Sequence, residues 1–123
     1  MKPEDPRKSK ECIFCKIIQG TLPSEKVFEN DGVFAFRDIS PQAPVHILIV
    51  PKKHFIDVLD VPRSDTSLFQ DLFQAVQQIA PQLGLASGGF RTVFNNGTHA
   101  CQTIHHVHLH LLGGVQMGGS MVG

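Results

Sequence analysis

The chain has 123 residues, 41% of them hydrophobic and 18% charged, which fits one globular domain and not a disordered segment. Eleven basic residues balance eleven acidic ones, so binding that rests on bulk charge, to nucleic acid or to an acidic membrane, is disfavoured. No apolar run approaches the ~20 residues that span a bilayer, and three cysteines, an odd number, disfavour a disulfide framework, so a cytoplasmic protein is expected.

Residues 1–11 are polar, contain Pro3 and Pro6, and read as a flexible tail; residues 12–123 read as a single domain. Ile13, Phe14, Ile17 and Ile18 recur at helical spacing, and Gly20 ends that short helix. Lys26 to Glu29 and Val33 to Arg37 read as two strands joined by the turn Asn30-Asp-Gly32. Asp38 to Pro44 is a loop, because two prolines in four residues forbid regular pairing. His46 to Val50 is an apolar run that fits a central strand, and Pro51 closes it. Asp57 to Asp65 connects, with Ser64 or Asp65 available as a cap. Leu68, Phe69, Leu72, Phe73, Val76, Ile79, Ala80 and Leu83 form the stripe of a long helix, with a kink or stop expected near Pro81. Phe90 to Phe94 is a further strand, Asn95 to Thr98 a loop, and Ile104 to Leu112 the last strand. The order predicts an α+β fold: a mainly antiparallel sheet, a short N-terminal helix and one long helix.

Seven histidines are many for this length, and five fall between His99 and His110. In His106-Val-His-Leu-His110 polar and apolar residues alternate, so on a strand three imidazoles share one face while Val107, Leu109 and Leu111 face a core. A histidine-rich solvent face is the bland alternative. One zinc held by all three is geometrically poor, since the outer Cα atoms of such a row lie about 13 Å apart. A row of imidazoles suits an extended anion better: a neutral ring can attack phosphorus, and a ring N–H can bond a phosphoryl oxygen.

The segment Gln102-Thr-Ile-His-His-Val-His-Leu-His-Leu-Leu-Gly113 resembles the signature of the histidine triad (HIT) superfamily. Ile13-Phe-Cys-Lys-Ile-Ile18, Phe36-Arg-Asp-Ile-Ser-Pro-Gln-Ala-Pro-Val-His46, Ile49-Val-Pro-Lys-Lys-His54 and Leu111-Leu-Gly-Gly-Val-Gln-Met117 are similar to its histidine triad nucleotide-binding (Hint) branch. The resemblance implies a HIT-like fold that forms homodimers through the long helix and a neighbouring strand. It implies a purine nucleoside phosphoramidase that hydrolyses the P–N bond of adenosine 5′-monophosphoramidates, with no cofactor needed for catalysis. Its ligand would be a purine nucleoside monophosphate or phosphoramidate.

Carried onto these positions, His108 is the nucleophile, His110 and His46 contact phosphate oxygens, and His106 helps hold His108 in its reactive tautomer. Thr103 stands where the family usually has Ser, and Asn95 bonds near ribose and phosphate. Asp38 accepts both ribose hydroxyls, and Ile13, Phe14, Ile17, Phe36, Ile39 and Leu48 enclose the base. Plain core packing is the other reading of those apolar residues, and a turn residue the other reading of Asp38. In some HIT proteins with a cysteine pair like Cys12-x-x-Cys15, structural zinc is held with histidines equivalent to His54 and His106; two buried thiols are the alternative. The chain departs from the branch at Cys101, commonly Gly, and in its glycine-rich C-terminus. Two other functions stay open: a nucleotide-binding regulatory module with weak catalysis, and a dinucleoside polyphosphate hydrolase of another HIT branch.

Overall fold

A computed structural model describes residues 12–120. The polar N-terminal segment, residues 1–11, lies outside the described residues, as do residues 121–123. The chain forms α1 (Ile13–Gln19), β1 (Lys26–Glu29), β2 (Val33–Arg37), β3 (Val45–Pro51), α2 (Ser67–Gln82), β4 (Phe90–Phe94) and β5 (Leu109–Gly113). The five strands make one antiparallel sheet in the order β1-β2-β3-β5-β4. The α+β expectation, with one short and one long helix, is borne out.

Local chemistry explains the boundaries. Cys12 caps α1, its Sγ accepting the Cys15 N–H at 3.3 Å, and Gly20 closes the helix in the left-handed region at φ 84°. In the hairpin turn, Asn30 Oδ1 accepts from the N–H groups of Gly32 and Val33 at 3.0 and 2.9 Å. The connection after β3 carries two short 3-10 turns, Val58–Asp60 and Arg63–Asp65. The N-cap of α2 is Thr66, one residue beyond Asp65, and it makes no side-chain capping bond. Pro81 sits in its last turn, one residue before the helix ends.

The strands' period of two sorts residues between two layers. Val33, Ala35, Ile47, Ile49, Leu109 and Leu111 face α2 and meet Leu68, Leu72, Ala75, Val76, Ile79 and Ala80 in the main core. Phe34, Phe36, Leu48 and Val50 face the other way and pack with Phe14 of α1. This second face, thinly covered by α1, carries the histidines.

One expectation is corrected. The last strand begins at Leu109, not Ile104. The Val107 N–H bonds the Phe55 carbonyl at 2.8 Å, and the Pro51 carbonyl is taken by the His106 ring. The partners that would prolong the β3–β5 ladder are therefore used elsewhere. His106 and His108 precede the strand, and only His110 lies on it.

Candidate active site

The alternation survives the shorter strand. Val107, Leu109 and Leu111 are buried in the main core, while Phe14, on the opposite side, stacks edge-on against both His106 and His108. The His108 and His110 rings lie 4.9 Å apart, centroid to centroid. His46 and His110 are diagonal neighbours, because Leu48 pairs with His110 and His46 with Leu112. Their rings meet, His46 Nε2 to His110 Nδ1, at 2.9 Å.

His108 Nδ1 lies 2.7 Å from the His106 carbonyl oxygen. That oxygen can only accept, so Nδ1 carries the ring proton and Nε2 is left with a lone pair. The side chain of His106 serves something else. Its Nε2 donates to the Pro51 carbonyl at 2.8 Å, and its Nδ1 faces Cys12 Sγ at 3.4 Å and Cys15 Sγ at 3.5 Å. His106 thus orients His108 through its backbone. Burial lowers the pKa of His46 and of His108, and lowers His106 and His110 to about 4. At neutral pH all four rings are therefore uncharged, as a nucleophilic imidazole must be.

A cavity of about 420 Å³ opens beside His108 and His110, and the His106 ring does not line it. Ile13, Phe14, Ile17, Phe36, Ile39 and Leu48 line it, with Asp38, Thr103, His108 and His110. Asp38 Oδ1 accepts from the Ser40 N–H at 2.8 Å. Ile39 is 96% exposed and stands at the rim. Arg37, also on the wall, is tied to Glu25 at 2.8 Å. His46, 4% exposed, and Asn95 do not line the cavity. A larger hollow, about 570 Å³, lies between the α2–β4 turn and the C-terminal segment. Among the described residues its only charged side chain is Arg91, so size alone does not locate the chemistry.

A second cluster brings together Cys12, Cys15, His54 and His106, their ligand atoms all within 4.8 Å of one another. His54 Nδ1 is 3.2 Å from Cys15 Sγ. Tetrahedral zinc with ordinary Zn–S and Zn–N bonds places such atoms about 3.6 Å apart. Since the His106 Nε2–H is held by Pro51, its Nδ1 presents a lone pair to both sulfurs, so the residues fit the metal. Burial, then the adjoining Cys12 thiol, pushes the Cys15 thiol up to about 12, the behaviour of thiols crowded without a cation. Asp38, His46 and His110 also come close enough to share an ion. There the chemistry does not fit: His46 Nδ1 accepts the Gln42 N–H at 3.0 Å, so its Nε2 bears a proton.

Sequence reasoning assigned no role to Gln102. It is buried, donates to the carbonyls of Ile56 and Ile104 at 2.7 and 3.1 Å, and accepts the Gly97 N–H at 2.9 Å. It braces the loop that leads into Thr103. An amide among small and apolar neighbours was the available signal.

Residues 19–117 match the family model for the HIT domain. The chain is 43% identical over 110 residues to a purine nucleoside phosphoramidase of Escherichia coli, a match spanning 89% of this chain and 92% of that protein. It is similar to the crystal structure of a HIT family hydrolase from Legionella pneumophila, with a TM-score of 0.87, 45% identity, and 89% and 98% of the two chains covered. A HIT family hydrolase from Clostridium thermocellum gives a TM-score of 0.89 at 43% identity, with 94% and 100% covered. With His108 and His110 beside one cavity, the family model matched over residues 19–117 and the fold similar to these structures, the chain belongs to the HIT domain family, as a HIT-family hydrolase.

Proposed function

We propose that the protein is a purine nucleoside phosphoramidase that cleaves the P–N bond of adenosine 5′-monophosphoramidates through a nucleotidyl-histidine intermediate. The observation that carries this reading is the His108 ring, whose Nδ1–H is fixed on a backbone carbonyl while the ring borders an apolar cavity. The apolar wall takes the base, and Asp38 accepts the ribose hydroxyls. His108 Nε2 attacks phosphorus, a N–P bond forms, and the P–N bond breaks with its electron pair going to the amine, which takes a proton from solvent water as it leaves. The His110 ring, beside His108 on the cavity wall, and the Thr103 hydroxyl stabilise the phosphoryl oxygens. Water then attacks phosphorus, releasing the monophosphate and restoring the imidazole. The similarity to a purine nucleoside phosphoramidase supports the substrate class.

The test is His108→Ala. Turnover of an adenosine phosphoramidate is expected to fall at least about a thousandfold with AMP binding retained. Rapid quench of the unmodified enzyme should trap the adenylyl group on His108. Full activity in the variant rejects the nucleophile; an unmodified histidine together with absent turnover favours a binding module instead.

Two further features belong to this reading. Cys12, Cys15, His54 and His106 would hold a structural zinc, whose contribution is a cross-link between α1 and the segments that follow β3 and precede β5. Metal analysis of the purified protein is expected to find about one zinc per chain, lost in Cys15→Ser. The protein is a homodimer in this proposal. β4 is an edge of the sheet, and Phe90 on it and Phe73 on α2 are each 45% exposed. Light scattering should return twice the chain mass.

A further inference from the structure

We propose that His46 is a positioning residue that fixes His110 as the Nε2–H tautomer, under the direction of the Gln42 backbone amide; this rests on the phosphoryl chemistry proposed above. The chain of bonds has one possible direction. A backbone N–H can only donate, so His46 Nδ1, 3.0 Å from the Gln42 nitrogen, is an acceptor. A neutral imidazole has one proton, and that of His46 therefore sits on Nε2. His46 Nε2 then donates across 2.9 Å to His110 Nδ1. The proton of His110 is left for its Nε2. Asp38 Oδ2, 3.5 Å from His46 Nε2, is another acceptor on that side and reinforces the same direction.

The neighbouring ring is set the opposite way. His108 has its proton on Nδ1, held by the His106 carbonyl. Two adjacent imidazoles thus present unlike edges: a lone pair on His108 for phosphorus, and an N–H on His110 for a phosphoryl oxygen. Were His110 the other tautomer, its lone pair would face that oxygen and repel it. His46 is buried and absent from the cavity wall, so it acts through His110 and not on the substrate.

The proposal also accounts for the segment Asp38-Ile-Ser-Pro-Gln-Ala-Pro44. Pro41 and Pro44 restrict its backbone. The Ser40 N–H bonds Asp38 Oδ1 at 2.8 Å, and Gln42 Nε2 donates to the Ser40 carbonyl at 3.1 Å. Together these hold the Gln42 amide against His46. The important group is a backbone N–H, which leaves no side-chain signature.

Long-range proton–nitrogen NMR of the histidine rings in the full chain at neutral pH tests this directly. His46 and His110 are expected as Nε2–H tautomers and His108 as Nδ1–H. In His46→Ala, His110 should lose its single tautomer. On an adenosine phosphoramidate, kcat should drop about tenfold or more with KM within about threefold, because a preset donor is lost and not a binding contact. In a His110→Ala background the same change should cost almost nothing, since the two residues act as one unit. A wild-type His110 protonated on Nδ1, an unaltered His110 tautomer in His46→Ala, or losses that multiply in the double variant would overturn the proposal. The wild-type spectra decide the tautomers even if His46→Ala folds poorly or phosphoramidates prove not to be substrates.

Discussion

The two oxygens of the Asp38 carboxylate have different neighbours. Oδ1 holds the Ser40 N–H at 2.8 Å, and Oδ2 lies 3.5 Å from His46 Nε2, on the cavity wall. In the proposed pocket it also accepts the ribose hydroxyls, and charge-assisted bonds of that kind contribute about 1.5–3 kcal/mol. Asp38→Ala should then raise KM for an adenosine phosphoramidate about ten- to hundredfold. A 2′,3′-dideoxy analogue should be affected much less; equal effects on the two would remove the ribose contact. The phase of the histidines was legible in the sequence, because alternation alone separates His106, His108 and His110 from Val107, Leu109 and Leu111. Alternation did not give their individual environments; the family resemblance alone had implied that His106 stands with Cys12 and Cys15 and beside His108. One faces two thiols, one a backbone carbonyl and one another histidine, and each of those partners comes from a distant or main-chain atom.

Helix α1 is short, and Phe14 is its only buried residue. Phe14 touches Phe36, His106 and His108 edge-on, and it is also part of the cavity wall. Phe14→Ala should weaken AMP binding measured by calorimetry and destabilise the fold by about 3–5 kcal/mol. On the opposite layer Leu72 of α2 is fully buried against the sheet. Leu72→Ala should cost about 2–5 kcal/mol in urea unfolding while AMP affinity stays unchanged, since that layer does not reach the cavity. Element types were legible throughout, because the apolar stripe of α2 and the turn signals Gly20 and Asn30-Asp-Gly32 are local. The start of β5 was not, because a strand ends where its partner's hydrogen bonds are spent. Here His106 and Val107 draw on the carbonyls of Pro51 and Phe55, residues with no sequence tie to them.

Across the whole molecule, buried neutral imidazoles couple stability to pH. Burial, with His108 and His46 close by, lowers His110 to about 4, and burial lowers His46 as well. Unfolded imidazoles titrate near pH 6.5, so below that value the unfolded chain takes up protons that the folded one refuses. Stability should fall as the pH drops from about 6.5 towards 4, and His110→Asn should flatten that slope in urea midpoints measured at pH 7, 6 and 5. An identical slope in the variant would remove His110 from the account. Among the described residues no helix is long and apolar enough to cross a membrane. By itself, the sequence determined the α+β class, the two-faced sheet and the side on which the histidines stand, because periodicity and turn chemistry are properties of neighbours along the chain. Only the tertiary structure decided which ring meets which partner. The four-residue thiol–imidazole cluster had been implied by the family resemblance, but the Gln42–His46–His110 chain joins atoms far apart in sequence or belonging to the backbone, and hydrogen-bond direction exists only once those atoms have been brought together.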